Sequence, residues 1–256
     1  MKRRIEPEDL YVLIAQVVFG IALIAAWEWA GRAFDSTWTS LPSLIAVRLV
    51  EWTGTILALH LGITLAEIGI GMVLGVSGGM VLGLLLGQSL VLGTVFRPIV
   101  VGLYSVPIVT LAPLLILWFG LDMAPKIVLV SISSFFLLFF STFSGVKAID
   151  RDLILGLRQM GATPGELFRK LAMPGAMPWI VSGIKIAVPY SIAAAVTGEL
   201  LAARLGMGAL LSTAAAQFDM TGLYTALFVL MLVGIAASSA VEALEGRLLR
   251  WRPGAR

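Results

Sequence analysis

Few residues in this chain have the type and spacing to do chemistry. The run Gly75-Val76-Ser77-Gly78 has the G-x-S-G form in which an intramembrane serine acts as nucleophile, and the sequence holds a single histidine, His60, to serve as its base. His60 lies seventeen residues before Ser77. On one continuous helix that separation is about 25 Å, whereas a base must lie within roughly 3 Å of the proton it removes. Serine chemistry within one copy of the chain is thereby excluded, and His60 reads as an interfacial polar residue. The absence of cysteine removes any thiolate metal site, and no metal or cofactor bound by this chain is expected. No Gly-Lys dipeptide occurs either, which rules out a G-x-x-x-x-G-K-[ST] phosphate loop. Any ATP used with this protein has to bind another chain.

Three further ionisable residues, Glu67, Lys185 and Glu199, fall inside apolar runs, where a charge is costly and marks either function or a snorkelling helix end. Lys185 and Glu199 share a helix face to within about 40° but stand roughly 21 Å apart, so they do not pair. Lys185 is read as snorkelling to the inner surface. Glu199, followed by Arg204 and Gly206-Met207-Gly208, suggests an outer gate built from Glu199, Gly206 and Gly208, with an interfacial helix cap as the plainer reading. Glu67 is left without a partner.

The elements that must hold these residues are membrane spans. The chain is 59% hydrophobic and 13% charged, with a mean hydropathy of +0.99, which places it in the integral membrane class. Apolar runs at about 11–34, 60–87, 98–119, 126–146, 179–203 and 222–246 meet the ~20-residue criterion for a span. The expected fold is all-α, with about six transmembrane helices in a single domain over 1–256. If each run crosses once, thirteen Lys and Arg fall on the side of the termini (Lys2, Arg3, Arg4, Arg97, Lys147, Arg151, Arg158, Arg169, Lys170, Arg247, Arg250, Arg252 and Arg256). Four, Arg32, Arg48, Lys126 and Arg204, fall on the other. By the positive-inside rule both termini are cytoplasmic.

That topology puts the longest cytoplasmic loop at about 147–178. Leu153, Leu157 and Met160 have helical spacing, and Gly161 supplies a stop. A second helix follows, with Thr163 as N-cap, Pro164 at the first helical position and Glu166 closing a capping box. Pro174 and Pro178 are expected to end it before the fifth span. Phe168 and Leu171, three apart, are expected on one face as apolar anchors.

In the second span Gly71, Gly75, Gly79, Gly83 and Gly87 form overlapping G-x-x-x-G units, which read as a close helix-packing stripe. In the third, Pro98, Pro107 and Pro113 interrupt helical bonding, and backbone freed in lipid needs neighbours or a watery cavity. A kinked packing helix and a path-lining segment are both compatible with this, and Tyr104, Ser105, Pro107 and Thr110 are the candidates for the lining.

The stretch GATPGELFRKLAMPGAMPWIVSGIK, from Gly161 to Lys185, resembles the cytoplasmic signature loop of binding-protein-dependent ABC importer permeases. LPSLIAVRL at 41–49, SVPIVTLAPLLILWFGL at 105–121, GELLAARLGMGALL at 198–211 and LEGRLLRW at 244–251 resemble the subgroup that imports sulfonates, taurine, nitrate and related small molecules. The chain departs from the family at Leu155, Gly156 and Leu157, where Glu-Ala-Ala is usual, and has Met173-Pro174 for Leu-Pro. The resemblance implies a two-helix coupling loop, in which Leu157, Gly161, Ala162, Thr163, Glu166, Phe168, Leu171 and Pro174 meet an ATPase. It implies as partners a second copy of the permease, two ATPase subunits carrying ATP and Mg, an extracytoplasmic solute-binding protein and the bilayer, but no nucleic acid. The implied location is the bacterial inner membrane. The competing class is an ion-gradient-driven secondary transporter or channel. It calls for paired intramembrane acids or an inverted repeat, and neither is visible in the sequence.

Overall fold

The computed structural model describes residues 7–33 and 38–249. Lys2, Arg3, Arg4, Arg250, Arg252 and Arg256 of the charge count lie outside the described residues. Helices α1 (Pro7–Ala33), α3 (Leu57–Gln88), α6 (Met123–Lys147), α9 (Met173–Ala202) and α11 (Met220–Leu248) carry five apolar segments long enough to cross a bilayer. A sixth is a bent pair: α4 (Leu90–Tyr104), then a 3-10 turn at Ile108–Leu111 leading into α5 (Ala112–Phe119), with a bend of 76°. The third span therefore begins earlier than expected and is broken rather than continuous. Pro107, at φ −60° and ψ 116°, has extended backbone that cannot continue the α4 register, and Pro113 restarts helix within the first positions of α5. Short helices α2 (Pro42–Thr53), α7 (Arg151–Gln159), α8 (Pro164–Leu167) and α10 (Met207–Ala216) complete the order.

Contacts divide the chain into two compact units, 1–58 with 210–228, and 59–209 with 229–256. In the first, Glu28 of α1 accepts from the Ser43 N–H at 3.0 Å and its hydroxyl at 2.8 Å, satisfying orphan donors at the start of α2. Arg48 of α2 pairs with Asp219 at 2.6 Å, and Ser40 bonds Thr221 at 3.0 Å. Burial pushes the Asp219 carboxyl up. The Gly222 N–H and the Arg48 guanidinium outweigh that and hold it below its ordinary value.

In the second unit the glycine ladder packs on α6. A side chain at Gly71, Gly75, Gly79, Gly83 or Gly87 would strike Val130, Ser134, Phe135, Thr142 or Val146 respectively, at 2.1 to 2.8 Å from the nearest atom. Both series ascend together, so α3 and α6 run parallel at backbone contact, the close approach that small residues permit in lipid. On the other side of α6, Gly145 meets Trp179, Gly183 meets Ser141 and Leu138, and Gly198 meets Lys126 and Leu129. Here the numbering runs in opposite senses, so α6 and α9 are antiparallel. Leu138 and Phe139, fully buried, sit at the centre of this three-helix layer.

Candidate functional site

The loop between α6 and α9 is built from three local capping devices. Asp150 caps α7 through the Asp152 N–H. At the other end of α7 the Gly161 N–H donates to Arg158 O and the Ala162 N–H to Leu157 O, both at 3.0 Å, which is a Schellman motif. Gly161 has φ +85°, a conformation that side-chain-bearing residues adopt rarely. Two residues on, Thr163 Oγ1 accepts the Glu166 N–H and Glu166 Oε2 accepts the Thr163 N–H at 3.0 Å, with Lys170 Nζ 2.8 Å from Glu166 Oε1. Orphan backbone groups on both sides of the corner are thus satisfied locally, and the corner is stiff.

The second helix does not end at Pro174 and Pro178. It passes through a π segment, Phe168–Ala172, directly into α9, giving one helical run from Pro164 to Ala202. The Met173 N–H reaches back to Phe168 O. This wider register just before Pro174 accommodates a residue that lacks an N–H and whose ring would clash in a regular turn. The same register overturns the shared face expected for Phe168 and Leu171. Phe168 is exposed, while Leu171 is half-buried and lines a cavity of about 640 Å³ with Leu167, Ile154, Val146 and Arg158. Pro174 sits in the first turn of α9.

At the far end of α9, Glu199 is fully buried. Thr64 of α3 donates to its Oε1 at 2.6 Å, and the Gly208 N–H donates to its Oε2 at 2.6 Å. The Thr64 hydroxyl also accepts the Met207 N–H at 2.8 Å. Gly206 and Gly208 are glycines because of this carboxylate. Gly206 has φ +121°, and a Cβ there would lie 2.2 Å from Glu199 Oε1; one at Gly208 would lie 2.6 Å from Glu199 Cβ and 2.7 Å from Val196 O. His60 is not a free interfacial residue, because its Nδ1 is within 2.9 Å of Gly206 O and 3.1 Å of Gly206 N, the tautomer deciding which bond forms.

Glu67, also fully buried, has a partner after all in Lys126 of α6, at 3.6 Å. Lys126 is 4% exposed and is not the loop cation it was counted as. The two intramembrane acids that looked isolated, Glu67 and Glu199, are electrostatic neighbours, and Glu67 also has Lys126 beside it. Lys185, in turn, pairs with Glu245 of α11 rather than only snorkelling. Sequence reading missed Thr64 and took Lys126 only as a loop charge. One signal was present, since His60, Thr64, Glu67 and Gly71 recur at helical spacing and form a polar stripe continuous with the glycine ladder.

The remaining candidates lie at the break between α4 and α5. Tyr104 packs against Phe136 and Phe140 with centroids at 5.5 and 5.3 Å. Ser105 Oγ donates to Val101 O and Thr110 Oγ1 to Pro107 O, carbonyls that also accept the Ser105 and Thr110 N–H groups, and each hydroxyl belongs to an exposed residue and can still accept. Ser77, the would-be nucleophile, donates to Val73 O at 2.6 Å. It is an exposed helix residue with no base.

The fold and the capped loop define a multi-pass helical membrane protein whose loop helix runs on into a span. Residues 75–250 match the family "Binding-protein-dependent transport system inner membrane component", and the chain belongs to that family. It is 32% identical to the formylaminopyrimidine transport permease protein ThiX of Halalkalibacterium halodurans, over 94% of this chain and 97% of that protein. Identity to the putative aliphatic sulfonates transport permease protein SsuC of Bacillus subtilis is 29%, over 90% of this chain and 84% of the other. In fold it is similar to a chain of the MetNI methionine ABC transporter in an inward-facing conformation, with TM-score 0.66 and 20% identity, covering 74% of this chain and 94% of that one.

Proposed function

We propose that this chain is the transmembrane permease subunit of an ATP-driven importer, acting as one permease domain in a homodimer, with both termini cytoplasmic. Two ATPase subunits and an extracytoplasmic solute-binding protein complete the assembly. The observation that carries the reading is the single helical run from Pro164 to Ala202. It begins in the capped loop and ends at Glu199, about 50 Å from Glu166 at 1.5 Å per residue. A run that long exceeds a hydrocarbon core of about 30 Å, so its first turns stand clear of the bilayer as a lever.

An ATPase that grips the corner at Leu157, Gly161, Ala162, Thr163, Glu166 and Phe168 moves the whole of α9. That movement pulls on the Glu199 seat, where the Gly206–Gly208 turn closes or frees the outer mouth. The chain itself performs no covalent step; ATP and Mg belong to the ATPase. Tyr104, Ser105, Pro107 and Thr110, at the 76° break, line the path and offer uncharged acceptors to a small solute. The solute is a small organic molecule or oxyanion of the kind named in the relatives, a formylaminopyrimidine, an aliphatic sulfonate or a molecule of similar size such as taurine or nitrate.

The family and the missing phosphate loop favour this reading over an ion-driven carrier, even though two intramembrane acids do meet. Glu67 is paired with Lys126 and Glu199 is bonded to Thr64 and Gly208, which leaves no pair of free carboxylates. The test is reconstitution with candidate ATPase and solute-binding subunits from the same organism, followed by screening of the binding protein for ligands by thermal shift. Uptake of the ligand that requires ATP and the binding protein supports the proposal. Uptake driven by a proton or sodium gradient without ATP refutes it.

A further inference from the structure

The two buried carboxyls at the Glu199 end are held very differently. Glu199 has a short bond on each oxygen, 2.6 Å from Thr64 and 2.6 Å from the Gly208 N–H. Glu67 is equally buried, yet neither of its oxygens has a hydrogen-bond partner. Its cation, Lys126 Nζ, stands off at 3.6 Å and spends a hydrogen on Leu121 O at 3.3 Å. A carboxyl removed from water is expensive unless closely paired and bonded. The loose arrangement at Glu67 therefore calls for a reason beyond stability.

Lys126 is placed to serve both acids. Its stem lies across Gly198, whose absent side chain would come within 2.9 Å of Lys126 Cγ, and Gly198 adjoins Glu199 in sequence. Glu67 interacts with both Lys126 and Glu199. The charged or titratable groups at this place are Glu67 and His60 on α3, Lys126 on α6 and Glu199 on α9. His60 is engaged with Gly206, and Arg204 is exposed. When the Gly206–Gly208 turn leaves its seat, Glu199 loses the Gly208 N–H. The cation at hand to replace that bond is Lys126.

We infer that Lys126 exchanges carboxyl partners during transport, holding Glu67 while the outer turn is seated and Glu199 once the turn withdraws. Lys126 and Glu67 are on this account positioning residues: they stabilise the outer-open state and touch no solute. The exchange also gives the stripe His60, Thr64 and Glu67 a common purpose, because each lies at the Glu199 seat that the Gly206–Gly208 turn enters and leaves. The inference rests on the importer reading above.

The experiment uses the permease assembled with its ATPase in liposomes of phosphatidylethanolamine and phosphatidylglycerol, with ATP and orthovanadate as the probe. Leu205→Cys, at a residue 42% exposed beside the turn, reports turn withdrawal through labelling by an impermeant maleimide. Vanadate trapping is expected to raise labelling in the otherwise unchanged parent and to raise it at least tenfold less in Lys126→Met. The decisive variant is the swap Glu67→Lys with Lys126→Glu. It restores a static pair, so its thermal midpoint should recover toward the parent. It also takes the cation off α6, the helix whose residue 126 lies across Gly198, so labelling should stay at least tenfold depressed.

Recovery of both midpoint and labelling in the swap overturns the exchange and leaves an ordinary buried ion pair. If the swap does not fold, the neutral pair Glu67→Gln with Lys126→Met serves instead, since removing both charges from a low-dielectric site is tolerated. Labelling at the parent level in that variant overturns the exchange, and depressed labelling with a retained midpoint supports it. A parent that assembles but hydrolyses no ATP removes the importer reading, and the exchange with it. A parent that hydrolyses ATP normally while every variant labels like it removes the exchange alone.

Discussion

Thr64→Val isolates the Glu199 seat with little change of shape. The hydroxyl of Thr64 donates to Glu199 Oε1 at 2.6 Å and accepts the Met207 N–H at 2.8 Å, inside a fully buried environment. Valine is β-branched like threonine and keeps the favoured helical rotamer, so the loss is of bonds rather than of packing. A hydrogen bond to a charged acceptor contributes about 1.5–3 kcal/mol, and a stranded buried N–H costs about 1–3 kcal/mol. Together they weaken the seated state by at least ~2.5 kcal/mol, which at 1.4 kcal/mol per decade shifts the seated-to-withdrawn ratio by at least about sixtyfold. Two readouts follow from the proposed coupling. The thermal midpoint of the purified permease falls, and ATP hydrolysis by the reconstituted complex in the absence of binding protein rises several-fold, because withdrawal no longer waits for the loaded partner. Thr64→Ser, which keeps the hydroxyl, should behave like the parent. A Thr64→Val complex whose midpoint and unstimulated hydrolysis both match the parent would refute the reasoning, since the seat would then carry no energy.

The packing stripe makes a paired prediction: Gly79→Ala, whose added carbon would lie 2.3 Å from Phe135 O, should lower the midpoint sharply, while Gly69→Ala, with nothing within 4 Å, should leave it nearly unchanged. Overpacking of the first kind costs about 1–3 kcal/mol or more. Topology is tested by single cysteines in intact cells. Val50→Cys (Val50 is 72% exposed) and Ser212→Cys should react with an impermeant reagent, and Met160→Cys (Met160 is 84% exposed) should not. Asp219 supplies a pH signature. Its folded-state value is depressed below 3.8, so its contribution is complete above 3.8 and is lost as pH falls through the lower folded value. The midpoint deficit of Asp219→Asn should thus be equal at about pH 7 and pH 5 and shrink below 3.8, as measured by thermal scans; a deficit that grows on acidification would contradict the Arg48 pairing.

The spans and the loop corner were legible because their signals are local. Apolar length set four of the spans to within a few residues, and Gly161 and the Thr163–Glu166 box declare a corner through backbone chemistry that needs no tertiary partner. The continuation past Pro174 was not legible, since a proline reads as a stop unless a π turn ahead of it absorbs the missing donor. The break in the third span was foreshadowed by its prolines, but its angle depends on where helix resumes. Thr64, Lys126 and the pairing of Glu67 were hidden for another reason. Thr64 and Glu67 on α3, Lys126 on α6 and Glu199 on α9 meet only when three helices pack through glycines, and charge patterning along one helix does not report neighbours on another.

The central claim is that the corner at Gly161 couples an ATPase to movement of α9. Gly161→Val tests it most directly, because φ +85° is strained for a β-branched residue while nothing lies within 4 Å of the added carbon. The variant should insert and dimerise normally, and any loss stems from a misaligned lever. The measurement is ATP hydrolysed per solute imported in proteoliposomes that contain permease, ATPase and loaded binding protein, parent against Gly161→Val. The account predicts that the variant's hydrolysis no longer responds to loaded binding protein and that import per ATP falls at least tenfold. Hydrolysis and import indistinguishable from the parent would contradict it.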